Sequence, residues 1–187
     1  RSNQFVSSRT IGHIGKSIEE FNFSKGSFKL NNLNILLNKV TYAGSREQIH
    51  AESVTVNDIE TQSIALLNDV YLSNLSINEA LKKISADSVR WSEGEVSYLP
   101  NPVKKNKKES TPIIDIHNIS GKNTSISTST QSMKLKMNLH WIKAEKFSVL
   151  QNEKPFFENL SFSGDQFQTQ TKDLILQADT YTITDKQ

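Results

Sequence analysis

Four eight-residue segments of the chain share one spacing of apolar and acidic positions. Each begins with an aliphatic residue, has Ala at the third position and an acid at the fourth, and carries large apolar residues at the sixth and eighth. The segments are residues 49–56, 84–91, 142–149 and 176–183. Self-similarity of this kind is typical of a structural repeat. The sequence therefore predicts four copies of one unit.

The spacing of the apolar positions indicates strands rather than helices. On a helix, offsets 0, 2, 5 and 7 fall at about 0°, 200°, 140° and 340°, which is no single face. On a strand, each pair shares a face, but the three-residue step between the pairs reverses the face. A second motif, at residues 36–42, 66–72, 114–119 and 156–162, has the same step. The predicted unit is thus an outgoing strand followed by a returning strand.

A three-residue step in every strand requires a bulge or a bend at one level of the sheet. We expect a sheet creased along one line across its strands, with an apolar concave face that continues past the crease. The repeated acids would lie near this line, about 10 Å apart at ~4.8 Å per strand. They are Glu52, Asp87, Glu145 and Asp179. Charges at this spacing are tolerable in water, so solvated acids are favoured over a ladder of calcium ions.

The predicted fold class is all-β, with about eight to ten mostly antiparallel strands in a β-groove or sandwich-like arrangement and one or two short helices. Residues 1–187 form one predicted domain. Its parts are a helical cap at 1–24, two units at 25–99, a mobile Lys-rich loop at 100–112 and two further units at 113–187.

Local signals place the minor elements of this scheme. Apolar residues at helical spacing in 10–21 predict the cap, and a capping box opening at Ser76 predicts a short helix through Lys83. Strict alternation over 133–141 predicts a half-buried strand.

Composition narrows the classes of protein. The net charge of +2 gives no general attraction to polyanions, and the absence of Cys excludes disulfides and thiolate metal sites. No run approaches the ~18 apolar residues of a membrane-spanning helix. Because the chain begins with Arg, we expect a fragment whose export or anchoring segment lies outside it.

Signatures of catalysis are absent. The sequence has no nucleophile elbow, phosphate loop, dinucleotide fingerprint or zinc-hydrolase helix. His13, His50, His117 and His140 lack metal-ligand spacing, and the lysines in 104–108 favour a solvated loop over a nucleic-acid site. We therefore expect a protein that is not an enzyme, with no metal, no cofactor and no nucleic-acid partner.

The apolar face of the strands has two interpretations. It is either the core of a sandwich or short closed solenoid, or the lining of an open groove that holds acyl chains. A terminal unit lacks a neighbour on one side, so the last unit is the predicted place of lipid contact or of continuation of the sheet. The candidate lipid-contact residues are Phe156, Phe157, Phe162 and Tyr181.

The units LLNKVTYAG…IHAESVTVND and LLNDVYLSNLSINEALKKISADSVRW resemble the repeats of AsmA-like proteins, the β-groove group that includes TamB-type proteins. The resemblance covers most of residues 28–183. It implies a periplasmic or otherwise extracytoplasmic protein, held near a membrane by an anchor, whose concave surface handles phospholipid or supports outer-membrane assembly with other envelope proteins. The strands ISADSVRW and LQADTYTI also resemble those of lipopolysaccharide-transport proteins, but only seven glycines count against that family.

A rival interpretation comes from another functional class. The chain would then be an adhesin or assembly module that binds protein or glycan through sheet edges and loops.

Overall fold

The chain forms one large β-sheet. The computed structural model describes residues 20–30, 32–44, 47–78, 82–99, 113–130, 132–150 and 156–184. Within them the strands are β1 (Glu20–Leu30), β2 (Leu33–Ala43), β3 (Gln48–Asp58), β4 (Ile64–Ser73), β5 (Ser76–Asn78), β6 (Lys83–Ala86), β7 (Ser88–Trp91), β8 (Glu93–Tyr98), β9 (Ile113–Ser129), β10 (Met133–Val149), β11 (Phe156–Glu158), β12 (Ser161–Thr171) and β13 (Ile175–Thr184). The all-β class is therefore confirmed.

The strands follow one another across the sheet almost in chain order. The main path is β1-β2-β3-β4-β7-β9-β10-β12-β13, with β8 continuing β7 and β11 preceding β12. Neighbours are antiparallel except where β6, β7 and β8 run parallel to β9. Within the described residues β1 and β13 are the two ends of this main path, and the short strands β5 and β11 also have a neighbour on one side only.

Two creases, not one, cross this sheet. Several strand residues have a positive φ: Lys39, Asp69, Asn123 and Gln166 mark one line, and Asn74, Asn118 and Asn159 mark a second. The pairing register is the same on both sides of the crease in most ladders, as in β2–β3 and β9–β10. The strands therefore bend together, and a register shift occurs only between β10 and β12. Asn and Asp are the non-glycine residues that tolerate this backbone region best.

The expectation of a single row of repeated acids is wrong. Glu52 and Asp179 lie on the first crease, whereas Asp87 and Glu145 lie on the second. The lines are about five residues apart along β9, which is roughly 17 Å. The four segments therefore do not occupy equivalent levels of the sheet.

Side-chain hydrogen bonds stabilise the second crease. Asn74 Nδ2 donates to Asp87 Oδ2 at 2.6 Å, and Asn159 Nδ2 donates to Glu145 Oε2 at 2.7 Å. Asn118 Nδ2 donates to the backbone oxygen of Asp87 at 2.9 Å. At the first crease Lys39 Nζ lies 2.5 Å from Glu52 Oε2. These contacts help offset the roughly 1–3 kcal/mol that each unusual backbone conformation costs.

The sheet bends toward its apolar face. In the described part of the chain the buried apolar side chains all belong to residues that flank a crease on that face. They are Val40, Ala51, Val54, Val70, Ala86, Ile119, Leu139 and Ala144. Residues on the opposite side of the crease, such as Lys39 and Glu52, are exposed. We call the apolar side the inner face and the other side the outer face.

The predicted helices are not found in the described residues. Residues 20–24 belong to β1, and the rest of the predicted cap lies outside the described residues, as does the loop at 100–112. Ser76 to Asn78 form β5, which pairs with β6 through Ile77 and Ile84. Cross-strand pairing of these apolar residues overrides the local capping signal. The strand predicted at 133–141 is the first half of the longer β10.

Candidate functional site: the inner face

The inner face is continuous from β1 to β13 and carries no charge. The cross-strand registers place the following residues on it in β1 to β4: Phe21, Phe23, Gly26, Phe28, Ile35, Leu37, Val40, Tyr42, Ile49, Ala51, Val54, Val56, Ala65, Leu67, Val70 and Leu72. In the later strands they are Ile77, Ile84, Ala86, Val89, Trp91, Gly94, Val96, Tyr98, Ile114, Ile116, Ile119, Gly121, Thr124, Ile126, Thr128, Met133, Leu135, Met137, Leu139, Ile142, Ala144, Phe147, Val149, Phe157, Phe162, Gly164, Phe167, Thr169, Thr171, Leu176, Ala178, Tyr181 and Ile183. No side chain in either list is charged.

The part of the inner face around β2 to β4 is filled by its own side chains. Val40, Ala51, Val54 and Val70 form a buried cluster, and partly buried neighbours from both sides of the first crease pack on it. The bend brings these neighbours together. This region is therefore the core of the molecule and has no room for a ligand chain.

The end of the inner face near β13 is open. Leu176 is 51% exposed, Ile183 52% and Phe157 40%. Tyr98 and Phe21 are exposed to similar extents, 52% and 49%. Among the described residues β13 has a hydrogen-bonded neighbour on one side only, which is β12.

The four predicted lipid-contact residues do not share one face. Phe157, Phe162 and Tyr181 lie on the inner face, but Phe156 alternates onto the outer face opposite Ser148 and is 58% exposed. Phe156 therefore lies on the face opposite the other three candidates. The alternation of the strand requires two adjacent phenylalanines to point to opposite faces.

Two further aromatic residues join the inner-face candidates. The Phe147 and Phe157 rings are 4.7 Å apart, and the Tyr181 ring lies 5.6 Å from Phe167 and 6.1 Å from Phe162. Phe147 could have been identified from the sequence, because it is the sixth residue of the third segment. Phe167 stands outside the shared motifs and is placed here by the irregular pairing of β10 with β12.

Glycines on the inner face make room for aromatic rings. A Cβ at Gly26 would lie 2.6 Å from the Phe23 ring. A Cβ at Gly121 would overlap the Trp91 indole, and one at Gly164 would overlap the Asn138 backbone oxygen and lie 2.6 Å from the Tyr181 hydroxyl. Rings therefore lie flat along the inner face instead of projecting from it.

The polar groups of Trp91, Thr124 and Tyr181 on the inner face bond within the protein, whereas the buried Thr128 hydroxyl has no partner among the described residues. Trp91 Nε1 donates to Thr124 Oγ1 at 2.8 Å, and that hydroxyl donates to the Lys122 backbone oxygen at 2.9 Å. The Tyr181 hydroxyl donates to the Asn138 backbone oxygen at 2.8 Å. Burial, and then the charge of Asp165, raise the pKa of Tyr181 above its ordinary value. These groups support the lining and present no reactive centre.

Charged clusters occupy the outer face. Asp115 lies 3.3 Å from Lys146 and 3.4 Å from Lys83, with His117 at 3.5 Å. Burial acts to raise the pKa of Asp115, but the lysines outweigh it and hold that pKa below its ordinary value. Hydrogen bonding from His140 at 2.9 Å is the main cause of a lowered pKa at Asp165.

The histidines are paired individually rather than gathered. His50 bonds to Asp69 at 2.8 Å and stacks on Tyr71, whose ring carries the Arg90 guanidinium at 4.4 Å on the outer face. His13 lies outside the described residues. Across the described ranges, no group of three or more His, Asp and Glu side chains could hold a metal ion.

A shallow depression crosses the first crease between β1 and β2, lined by Phe23, Val40 and polar neighbours including Lys39. It lies at the opposite edge from the predicted lipid contacts. Within the described residues, no helix has the length and apolar character needed to span a membrane.

No family model, curated protein or solved structure matches this chain. Its function must therefore be argued from the inner face itself.

Proposed function

We propose that the chain binds acyl chains of phospholipid, or of another lipid, along the open end of its inner face and is not an enzyme. The observation that carries this proposal is the absence of charge from every inner-face position, combined with exposed apolar side chains near β13. An exposed apolar surface of this extent is typical of an interaction site.

The creased shape suits an elongated apolar ligand. At the open end, side chains of β11, β12 and β13 face the same side of the sheet, so a ligand chain lying across these strands contacts several of them at once. Contact that covers half of a Phe or Leu side chain stabilises the complex by about 0.8–1.5 kcal/mol per residue. The inner face offers no charged group to a lipid headgroup, so the acyl part of the ligand is the part it recognises.

We propose an extracytoplasmic compartment as the place of this activity. There the protein serves lipid transfer or supports outer-membrane assembly, with envelope proteins as its partners. The resemblance of the repeated segments to AsmA-like proteins supports this part of the proposal. The open edge at β13 favours the second candidate, an assembly module that binds protein through a sheet edge.

The adjacent residues Phe157 and Phe156 provide a matched test of the lipid proposal. Phe157→Asn places a polar group on the inner face, whereas Phe156→Asn makes the same change on the outer face. Binding of a fluorescent phospholipid to the detergent-free protein should weaken about four- to twelvefold in Phe157→Asn. Phe156→Asn should bind as the parent does.

Urea unfolding separates a lining residue from a core residue. If Phe157→Asn unfolds more easily while the parent holds no lipid by native mass spectrometry, the residue is core and the lipid proposal fails. Equal loss of binding in both variants would also contradict it.

A further inference from the structure

The two edge strands of the sheet have matching patterns. In β1 the inner-face residues are Phe21, Phe23, Gly26 and Phe28, and in β13 they are Leu176, Ala178, Tyr181 and Ile183. Both sets have offsets 0, 2, 5 and 7, and both strands cross the first crease. Two strands pair in one sheet only when their bends and their apolar faces coincide.

The direction of the edges allows them to pair. Along the main path, one neighbouring relation is parallel, between β7 and β9, and all others are antiparallel. β1 and β13 consequently run in opposite directions. A second copy that continues the sheet would place its β1 antiparallel to β13 of the first.

Superposing the apolar faces fixes the register of this contact. Phe21 then lies opposite Ile183 and Phe28 lies opposite Leu176. The same register sets Lys25 opposite Asp179 on the outer side of the crease. This arrangement repeats the pair of Lys39 and Glu52, which lie 2.5 Å apart across β2 and β3 at the same crease.

The β13 edge lacks the usual protection against pairing. It carries one charged residue, Asp179, no proline, and exposed apolar side chains at Ile175, Leu176 and Ile183. Natural edges commonly carry lysines or prolines that discourage such contacts. The β1 edge has Glu20, Lys25 and Lys29, and its lysines discourage β1 from pairing with another β1.

We propose that copies of this chain associate head to tail, with β13 of one copy paired antiparallel to β1 of the next. The inner faces of successive copies then form one longer apolar surface. A symmetric pair of two β13 strands is less favourable, because in the register that aligns their apolar faces each Asp179 lies diagonally opposite the other. The edge contact stands independently of the lipid proposal.

Cysteine cross-linking tests the register directly, because the chain contains no Cys. Asn22 and Thr182 are exposed and lie opposite each other in the proposed contact. The Cα separation of about 4.5–5.5 Å in an antiparallel pair suits a disulfide. Oxidation of the Asn22→Cys/Thr182→Cys chain should give a ladder of covalent oligomers, and each single variant should give dimers at most.

Two control pairs distinguish the alternatives. Asn22→Cys/Gln177→Cys is five residues out of register and should give no ladder. Gln177→Cys/Thr182→Cys would cross-link only if two β13 strands pair symmetrically. Cross-linking in either control at the rate of the test pair, or no ladder in the test pair, overturns the proposal.

Charge reversal tests the same contact in solution without cysteines. Asp179→Lys and Lys25→Asp should each weaken association about tenfold by sedimentation. The double variant should return to within about threefold of the parent. If Lys25→Asp leaves association unchanged, the head-to-tail contact is wrong. Lipid binding measured on the same variants tests the proposed function separately, because a variant that binds lipid retains that function whether or not it associates.

Discussion

β3 and β13 carry the same pattern of apolar residues but differ in burial. Ala51 of β3 is fully buried and Val54 is 9% exposed, whereas Ala178 of β13 is half-buried and Ile183 is 52% exposed. The difference comes from the neighbours, since β3 lies between β2 and β4 while β13 has only β12. The motif thus determines the strand and its face, and the position in the sheet determines whether the face becomes core or open surface.

The largest expected effect comes from replacing a buried leucine near the first crease by alanine, compared with the same change at an exposed leucine of β13. Leu139, beside the first crease, is 2% exposed, and Leu176 in β13 is 51% exposed. Leu139→Ala should lower the free energy of unfolding by about 2–5 kcal/mol, because it removes buried methyl groups and leaves a cavity. Leu176→Ala should cost less than about 1 kcal/mol. Urea unfolding measures both, and equal losses would show that the edge is covered as well as the centre.

A second comparison enlarges an alanine instead. Ala51→Leu should overpack the crease and destabilise the fold by about 1–3 kcal/mol. Ala51, Ala86 and Ala144, which hold the same position in three of the four segments, are buried. Ala178→Leu should change stability by less than about 0.5 kcal/mol, because its site borders the open edge. A loss of stability in Ala178→Leu as large as that in Ala51→Leu would contradict this account.

The strands could be predicted from the sequence because alternation and the three-residue step are local signals. The step at Leu37 to Val40 coincides with the positive φ of Lys39, and the step at Ile116 to Ile119 coincides with that of Asn118. The presence of two creases could not be predicted, because it depends on the register of β4 with β7: Ser73 lies opposite Ser88, and this places Asp87 at the level of Asn74. No local pattern encodes that register.

The candidate site also combines features that local sequence patterns predict with features that depend on long-range strand pairing. Phe157 and Phe156 could be assigned to opposite faces from alternation alone, but which of them faces the bend depends on the partner Phe147. The exposure of Leu176 and Ile183 depends on which strand lies next to β13, and no sequence motif specifies that neighbour. The local capping signal at Ser76 failed for the same reason, since Ile84 supplied a better partner for Ile77.

A third prediction compares two carboxylates on the outer face of the sheet: Asp115, at its centre, and Asp165, near the β13 edge. The pKa of Asp115 is lowered in the folded chain, so folding favours its ionised form. Its stabilising contribution is present above about pH 4 and is lost as the pH falls through the lowered pKa. Asp115→Asn should lower stability at pH 7 by about 1 kcal/mol and flatten the acid limb of the stability profile.

Asp165 is the control for this effect. Its pKa is also lowered, chiefly by the hydrogen bond to His140, but its carboxylate is exposed to solvent. Asp165→Asn should therefore change the acid limb less than Asp115→Asn does. An acid limb that stays as steep in Asp115→Asn as in the parent would show that its two lysine contacts do not stabilise the fold.

The last prediction concerns how β13 is attached to the sheet. The Tyr181 hydroxyl reaches across Gly164 of β12 and donates to the Asn138 backbone oxygen of β10. Tyr181→Phe keeps the ring and removes this bond, at a cost of about 0.5–1.5 kcal/mol. Hydrogen exchange of β13 amides should become faster, whereas exchange in β3 should not change, because β3 is held by neighbours on both sides.

The pH dependence of the Tyr181→Phe difference identifies the hydroxyl as its cause. The pKa of Tyr181 is raised by burial and by Asp165, so folding favours the protonated phenol. The stability difference between parent and variant should be complete below about pH 10 and should shrink as the pH rises through the raised pKa. Tyr98→Phe, at an inner-face position that is 52% exposed, is the matched control. A difference that grows with pH, or appears equally in Tyr98→Phe, would mean that β13 is held by its ladder to β12 alone and that its edge is free to exchange partners.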